Sequence, residues 1–145
     1  MPVTRRTQTL RAEPDDVWAV IADPHHLPRW WPRVRRVEDV AHDHWTKVMA
    51  TEKGRLVRAD ERLLISERPR RRRWTQDLED SPFERLLSEV STGIELEPEP
   101  GGTRVTLELA QRLRGINRLG GFMVRRASRR LLDEALESLG TACER

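Results

Sequence analysis

Residues 13–32 read EPDDVWAVIADPHHLPRWWP, and this stretch contains two successive signals for a short helix. Each signal is an acidic residue followed by proline, at Glu13-Pro14 and at Asp23-Pro24. Proline in a first helical turn removes no donor that the helix needs, and carboxylates there face the positive end of the helix dipole. Apolar residues follow at helical spacing, and later prolines limit both segments. The stretch therefore predicts two short helices, one ending before Pro24 and one before Pro32.

On both sides of this stretch the pattern changes to that of β-strands. Residues 3–10 are rich in threonine and lack helical periodicity, which favours a strand. Between Val34 and Leu113, apolar and polar residues alternate in several runs, separated by turn signals at residues 68–70 and 97–102. Each run has one mainly apolar face, so we predict an antiparallel meander with one solvated face.

The last segment returns to helical spacing. An apolar stripe runs along it, and charged residues such as Arg125, Arg129 and Asp133 occupy the other side. The stripe consists of Met123, Ala127, Leu131, Ala135, Leu139 and Ala142. We therefore predict a long amphipathic helix that covers the apolar face of the sheet, within a chain whose 145 residues fit one domain.

The order of elements and three short motifs resemble a known family. A strand, two short helices, about six antiparallel strands and a long helix follow one another as in the helix-grip fold. The motifs EPDDVW at residues 13–18, WWPRV at 30–34 and GGTRV at 101–105 resemble the polyketide cyclase/dehydrase, START-like (SRPBCC) superfamily, which includes plant hormone receptors and lipid-transfer domains. The resemblance implies an α+β helix-grip fold over residues 1–145 as a single START-like domain, with a curved antiparallel sheet of about seven strands wrapped around the C-terminal helix.

The same resemblance implies a function. Such domains hold a small hydrophobic molecule, such as a lipid, a polyketide or an isoprenoid, in a cavity between sheet and helix. Some members are aromatase/cyclase enzymes that assist a reaction with a few polar groups, often Tyr, Arg or His. This chain contains no Tyr, which removes one usual donor, weakens the enzyme hypothesis and favours a binding module. We expect no cofactor.

Glu61 is the sharpest candidate among polar residues. Strand alternation places it on the inward face of residues 57–65, among apolar neighbours. If the hairpin turn at Pro69 pairs Leu63 with Trp74, the same register puts Glu61 opposite Gln76 and Ile65 opposite Arg72. Glu61, Arg72 and Gln76 are therefore the candidate catalytic set, with a purely structural buried carboxylate as the alternative.

The aromatic composition raises a second question, because the chain has five Trp and only two Phe. Indoles from the short helices and the strands can line a ligand cavity or fill it, and the sequence leaves both open. We expect the cavity wall to come from the inward strand faces, the WWP motif and the last helix. The candidate wall residues are Trp31, Trp45, Glu61, Leu63, Trp74, Gln76, Val90, Leu107, Met123 and Ala127.

Composition and charge indicate which classes of binding partner are unfavourable. The 27 basic residues are almost matched by 24 acidic ones, which argues against nucleic acid as the main partner. The arginine-rich stretch from Arg68 to Arg73 lies at a predicted hairpin tip, where a solvated charged turn is normal, although a protein or RNA contact through it is a weaker alternative.

Further site types are disfavoured by residue spacing. The histidine pairs at residues 25–26 and 42–44 lie in predicted loops and form no known metal motif, so we predict no metal site. Cys143, as the only cysteine, excludes an intramolecular disulfide and a cysteine-based zinc site.

No run approaches the roughly 20 apolar residues of a membrane span, and residues 1–11 lack a signal-peptide core, so we expect a cytoplasmic protein. A homodimer is left open.

Overall fold

The computed structural model describes residues 3–79, 81, 83–115 and 118–144. Within these residues, seven strands form one antiparallel sheet in the order β1-β7-β6-β5-β4-β3-β2. The strands are β1 (Val3–Leu10), β2 (Val34–Glu38), β3 (His44–Ala50), β4 (Leu56–Glu67), β5 (Arg71–Asp77), β6 (Leu87–Glu99) and β7 (Gly102–Leu113). The helices are α1 (Pro14–Ile21), α2 (Leu27–Trp30) and α3 (Arg118–Cys143). The predicted helix-grip architecture is confirmed.

The two short helices begin where the acidic-proline signals predicted. Pro14 opens α1, and Asp15 and Asp16 lie in its first turn. Asp23 precedes a 3-10 turn at Pro24–His26, where its carboxylate accepts a hydrogen bond from the His25 backbone N–H at 3.0 Å. That turn leads directly into α2, so the second predicted helix is a composite of the two.

The GGT part of the GGTRV motif joins the first strand to the last. Gly101 has a φ of +83°, a left-handed value that favours glycine in the turn between β6 and β7. Gly102 lies so close to the Leu10 carbonyl that a Cβ atom would collide with it. Thr103 is fully buried and donates a hydrogen bond from Oγ1 to the Ala12 carbonyl at 2.6 Å. The motif therefore holds the start of β7 against the end of β1.

Helix α3 lies over one half of the sheet. It packs mainly against β1, β7, α1 and α2, and its Asp133 accepts two hydrogen bonds from Arg6 of β1. Its buried side chains are Ser128, Leu132, Ala135, Leu136 and Leu139. Because the helix covers the β1–β7 side, the concave face around β3, β4 and β5 is left without a closely packed helix above it.

The described strands contain three register shifts, one of them between Val34 and Arg36 of β2, and the other two are β-bulges that affect the candidate site. One lies between Leu63 and Ile65 of β4, and the other between Leu87 and Glu89 of β6. A bulge adds one residue to one strand, so side chains beyond it pair differently from what strict alternation predicts. Glu61 does pair with Gln76, and Leu63 with Trp74, but Ile65 pairs with Arg73, so the predicted pairing with Arg72 is wrong.

Candidate functional site

A cavity of about 580 Å³ lies between the concave face of the sheet and α3. Its wall is mostly apolar. The apolar side chains include Met49, Val57, Val90 and Leu109 from the sheet, Phe83 from the segment before β6, and Leu131 from α3. The exposed residues Arg33, Thr51, Glu52 and Lys53 also line it, which shows that this end opens to solvent.

A charged pair lies at the inner end of the cavity. Glu61 and Lys47 are only 3% and 7% exposed, and both contribute to the cavity wall. Lys47 Nζ lies 3.4 Å from Glu61 Oε2, and Trp45 Nε1 donates to Glu61 Oε1 at 3.1 Å. Removing two charges from water is unfavourable unless each gains a partner of opposite charge. The lysine and the indole thus supply what the buried carboxylate requires.

The sequence analysis does not include Lys47 among the candidate residues. The alternation of apolar residues that places Glu61 on an inward face is nevertheless also present around Lys47. Strand β3 alternates Trp45, Lys47 and Met49 on one face, so the lysine lies between two apolar inward positions. Its Nζ also lies 5.5 Å from the centre of the Trp31 ring, in a cation–π arrangement. An inward lysine on the strand next to Glu61 would have been the better candidate partner.

Gln76 is the second polar group at this end. It pairs with Glu61 across β4 and β5 and lines the cavity. Its Nε2 atom is buried and has no hydrogen-bond partner among the described residues. A buried amide donor without a partner is unfavourable and is rare in folded proteins. The position is therefore one that water or a ligand oxygen can satisfy.

The tryptophans pack as a cluster next to the cavity and do not fill it. Ring centres lie 5.4 Å apart for Trp30 and Trp31, 6.5 Å for Trp31 and Trp74, and 6.3 Å for Trp45 and Trp74, all in edge-to-face arrangements. All four are at most 6% exposed, but only Trp31 of these four lines the cavity. The cluster forms a rigid aromatic support behind one wall, and space remains beside it.

Several candidate wall residues lie elsewhere. Of the ten, Trp31, Glu61, Gln76 and Val90 line the cavity. Trp45, Trp74 and Leu107 are buried in the core, and Leu63 packs against it, so each lies behind or beside the wall. The two candidates on α3 do not face the cavity, since Met123 is 62% exposed and Ala127 is also exposed. The buried stripe of this helix is centred on Leu132, Leu136 and Leu139. Leu131 is the residue of α3 that lines the cavity.

Arg72 does not belong to the cavity. It is 5% exposed, its Nη1 donates to Ser66 Oγ at 3.1 Å, and its guanidinium lies 5.7 Å from the centre of the Trp45 ring. Burial holds the pKa of Arg72 below its ordinary value. The bulge in β4 pairs Arg72 with Ser66, whereas Glu61 pairs with Gln76 four residues farther along β5, so Arg72 and Glu61 are not cross-strand neighbours. Arg72 therefore contacts the aromatic cluster through Trp45 and does not line the cavity.

The bulge in β6 also decides which residue near its start faces the cavity. Strict alternation backwards from the inward-facing Val90 puts Leu86 on the same face, but Leu86 is 59% exposed, and Leu87 lines the cavity instead. Phe83 joins it from the preceding segment. The local residue pattern does not predict a bulge, so Leu87 and Phe83 could not be assigned to the cavity wall from the sequence.

Other candidates from the sequence are not brought into the cavity. His25 and His44 each contact a neighbouring aspartate, Asp23 and Asp43, at 3.0 Å. Within the part of the chain that the structure describes, no three His, Cys, Asp or Glu side chains gather into a metal-binding group, and no helix is both long and apolar enough to span a membrane. Burial raises the pKa of Cys143 to about 11.

The arginine-rich hairpin is largely engaged by the protein itself. Arg71 pairs with Glu67 at 2.7 Å, and Arg73 pairs with Glu108 at 2.6 Å. Arg72 points to the other side of the sheet and is buried. The stretch is therefore not a continuous basic surface.

Comparison with known proteins identifies the family. The profile of the family described as "polyketide cyclase / dehydrase and lipid transport" matches residues 1–144. The chain belongs to this family. A search of curated proteins found no match for it.

Solved structures show how general this family's architecture is. A START superfamily protein from Mycobacterium smegmatis is 11% identical with a TM-score of 0.81, and the match covers 98% of this chain and 97% of the other. The protein TTHA0849 from Thermus thermophilus is 23% identical with a TM-score of 0.75, covering 97% and 95%. The di-domain aromatase/cyclase StfQ from the steffimycin pathway is 15% identical with a TM-score of 0.79, covering 98% of this chain and 50% of that one. At these identities the solved structures establish a shared fold alone. The family's description, which names polyketide cyclases and lipid transport, is that of domains that handle hydrophobic molecules.

Proposed function

We propose that this protein binds a small hydrophobic molecule, lipid-, polyketide- or isoprenoid-like, in the cavity between β3–β7 and Leu131 of α3. The observation that carries the proposal is the open cavity of about 580 Å³ beside a buried tryptophan cluster. Ligand sites are typically mostly apolar concavities of about 300–1,000 Å³ with a few convergent polar groups. Trp31 and Val90 would contact the apolar body of the ligand, and Glu61, Lys47 and Gln76 would face its inner end.

The first test uses N-phenyl-1-naphthylamine, an uncharged probe whose fluorescence increases in apolar surroundings. The wild-type protein should bind it saturably. Leu131→Trp places a larger side chain in the cavity and should weaken binding by about tenfold or more. Met123→Trp is the matched control on the same helix, because Met123 is exposed and does not line the cavity. Absence of saturable binding, or equal effects of both variants, would refute the proposal.

A second candidate is a cyclase-type reaction, and the buried Glu61–Lys47 pair is the observation that favours it. In that reaction the Glu61 carboxylate would take a proton from a carbon between two carbonyl groups, and Lys47 would stabilise the enolate that forms. The measurable step is deuterium exchange at the central carbon of 1-phenylbutane-1,3-dione, followed by NMR. Acceleration by the wild type that Glu61→Gln abolishes, with binding retained, would support an enzyme; equal exchange rates would remove Glu61 from any such role.

A further inference from the structure

We infer that the inner end of the cavity receives an uncharged hydrogen-bond acceptor, a carbonyl oxygen carried by an otherwise apolar ligand. The inference rests on the proposed function and names the chemistry of the ligand's inner end. A ketone, quinone, lactone or ester would each present this group, and the protein atoms would contact the same oxygen in all of them.

Two side chains at this end carry N–H groups that have no acceptor among the described residues. Gln76 Nε2 carries two N–H groups, is buried and has no partner among the described residues. Lys47 Nζ carries three, and Glu61 is its one carboxylate neighbour within 4 Å among the described residues. Both oxygens of Glu61 are already approached, one by Trp45 Nε1 and one by Lys47. The Gln76 amide donates to neither oxygen, so its N–H groups stay available to a ligand.

The positions of these groups allow them to act together. Lys47, Glu61 and Gln76 lie on the adjacent strands β3, β4 and β5, and all three line the cavity. Register pairs Glu61 with Gln76, and pairs Lys47 with Ala59, two residues before Glu61 on the same face. Donors from β3 and β5 thus flank the carboxylate on one face. A carbonyl oxygen has two lone pairs, so it can accept from both donors.

Charge balance distinguishes a neutral acceptor from an anionic one. Lys47 and Glu61 neutralise each other, and Arg72 is turned away toward Ser66. Arg33 lies at the open end, where it faces Glu52 at 3.4 Å. A carboxylate at the inner end would therefore be a buried anion without a free cationic partner, which is strongly unfavourable. A cationic head group would be repelled by the positive charge of Lys47. A neutral acceptor therefore fits the inner end of the cavity best.

The test uses three naphthalenes that share one ring system and differ in one substituent. They are 2-acetylnaphthalene with a ketone, 2-ethylnaphthalene without an acceptor, and 2-naphthoate with a carboxylate. Each competes with N-phenyl-1-naphthylamine for the wild-type protein. Because one net hydrogen bond corresponds to about a tenfold change in affinity, the ketone should bind roughly five- to tenfold more tightly than the ethyl compound. It should also bind more tightly than the carboxylate.

Gln76→Leu should remove this preference, with Gln111→Leu as the matched control. Gln111 also lines the cavity, but its Oε1 already accepts a hydrogen bond from Ser128 Oγ at 3.0 Å. Gln76→Leu should weaken ketone binding by about fivefold and leave the ethyl compound's affinity unchanged or raised, whereas Gln111→Leu should preserve the ratio. In infrared difference spectra, the carbonyl stretch of the bound ketone should lie lower in the wild type than in Gln76→Leu.

The outcomes separate the inference from the proposed function. If N-phenyl-1-naphthylamine binds but the ketone and the ethyl compound bind equally, or 2-naphthoate binds most tightly, the assigned chemistry is wrong and the cavity function stands. If no probe binds, both fail. If Gln76→Leu does not fold, the order of the three ligands on the wild type alone decides, because that order needs no variant.

Discussion

The Lys47–Glu61 pair makes a quantitative prediction about stability. Lys47→Met removes the cation and leaves the Glu61 carboxylate buried with the Trp45 N–H as its hydrogen-bond donor. Glu61→Gln removes the anion and leaves the lysine buried. Each single change should therefore leave one buried group without its opposite charge, whereas the double variant Lys47→Met/Glu61→Gln leaves neither charge behind.

The magnitude follows from burial and distance. Breaking a buried ion pair by removing one partner costs about 3–5 kcal/mol. The two side chains are 9% and 3% exposed, and their charged atoms are 3.4 Å apart, but both border a cavity that water can enter. We therefore expect about 3 kcal/mol for each single variant, the lower end of that range. For a domain of this size this corresponds to a fall in Tm of roughly 9 °C.

The assay is urea unfolding followed by tryptophan fluorescence and circular dichroism for the wild type, both single variants and the double variant. The double variant should lose much less than the sum of the singles, with a coupling energy of about 2–3 kcal/mol. Arg33→Met is the control, because the Arg33–Glu52 pair at the open end is exposed and should contribute less than about 0.5 kcal/mol. Losses that simply add, or single losses as small as the control's, would show that the buried pair does not act as a unit.

Three other predictions concern single groups. Gln76→Leu should raise the free energy of unfolding of the ligand-free protein by about 1 kcal/mol, because it removes a buried donor without a partner; a clear loss in urea unfolding would show that the amide is satisfied. Burial raises the pKa of Glu108, but hydrogen bonds from Arg5 and Arg73 outweigh it and the net pKa is lowered. Its contribution to stability is therefore present above the ordinary glutamate pKa and is lost as pH falls through the lowered value, so Glu108→Gln should flatten the acid side of the stability profile; an unchanged profile would contradict this. Burial raises the pKa of Cys143 to about 11, so iodoacetamide at pH 8 should label it slowly in the folded protein and rapidly in urea; equal rates would be inconsistent with a raised pKa in the half-buried thiol.

Much of the fold could be predicted from local patterns. The first strand was expected over residues 3–10 and spans Val3–Leu10, and proline opens both short helical segments after the acidic residues. These features depend on interactions within a few residues, namely backbone dihedral preference, missing donors and the helix dipole. The GGTRV motif is equally local in sequence, but the collision of a Gly102 Cβ with the Leu10 carbonyl is visible only in the folded chain.

The candidate site was predictable up to the first bulge. Alternation along β4 placed Glu61 inward and paired it with Gln76, as the structure does. The same reasoning applied to β3 would have found Lys47 between Trp45 and Met49. Beyond the bulges it fails: Arg72 pairs with Ser66 and not with Ile65, and Leu87, which the alternation does not select, lines the cavity. A β-bulge depends on how two whole strands twist and pack, so the residues of one strand do not predict it.

The sequence by itself determined which face of most strands is apolar, where the short helices start and that an inward carboxylate needs a partner. These properties follow from the two-residue period of a strand and the chemistry of single side chains. Only the tertiary structure decided that α3 packs over β1 and β7, that its exposed Met123 takes no part in the wall, and that the tryptophans pack edge to face beside the cavity. The reason is that an open volume is the space left when all elements have packed, so it depends on the relative placement of sheet and helix and not on any local pattern.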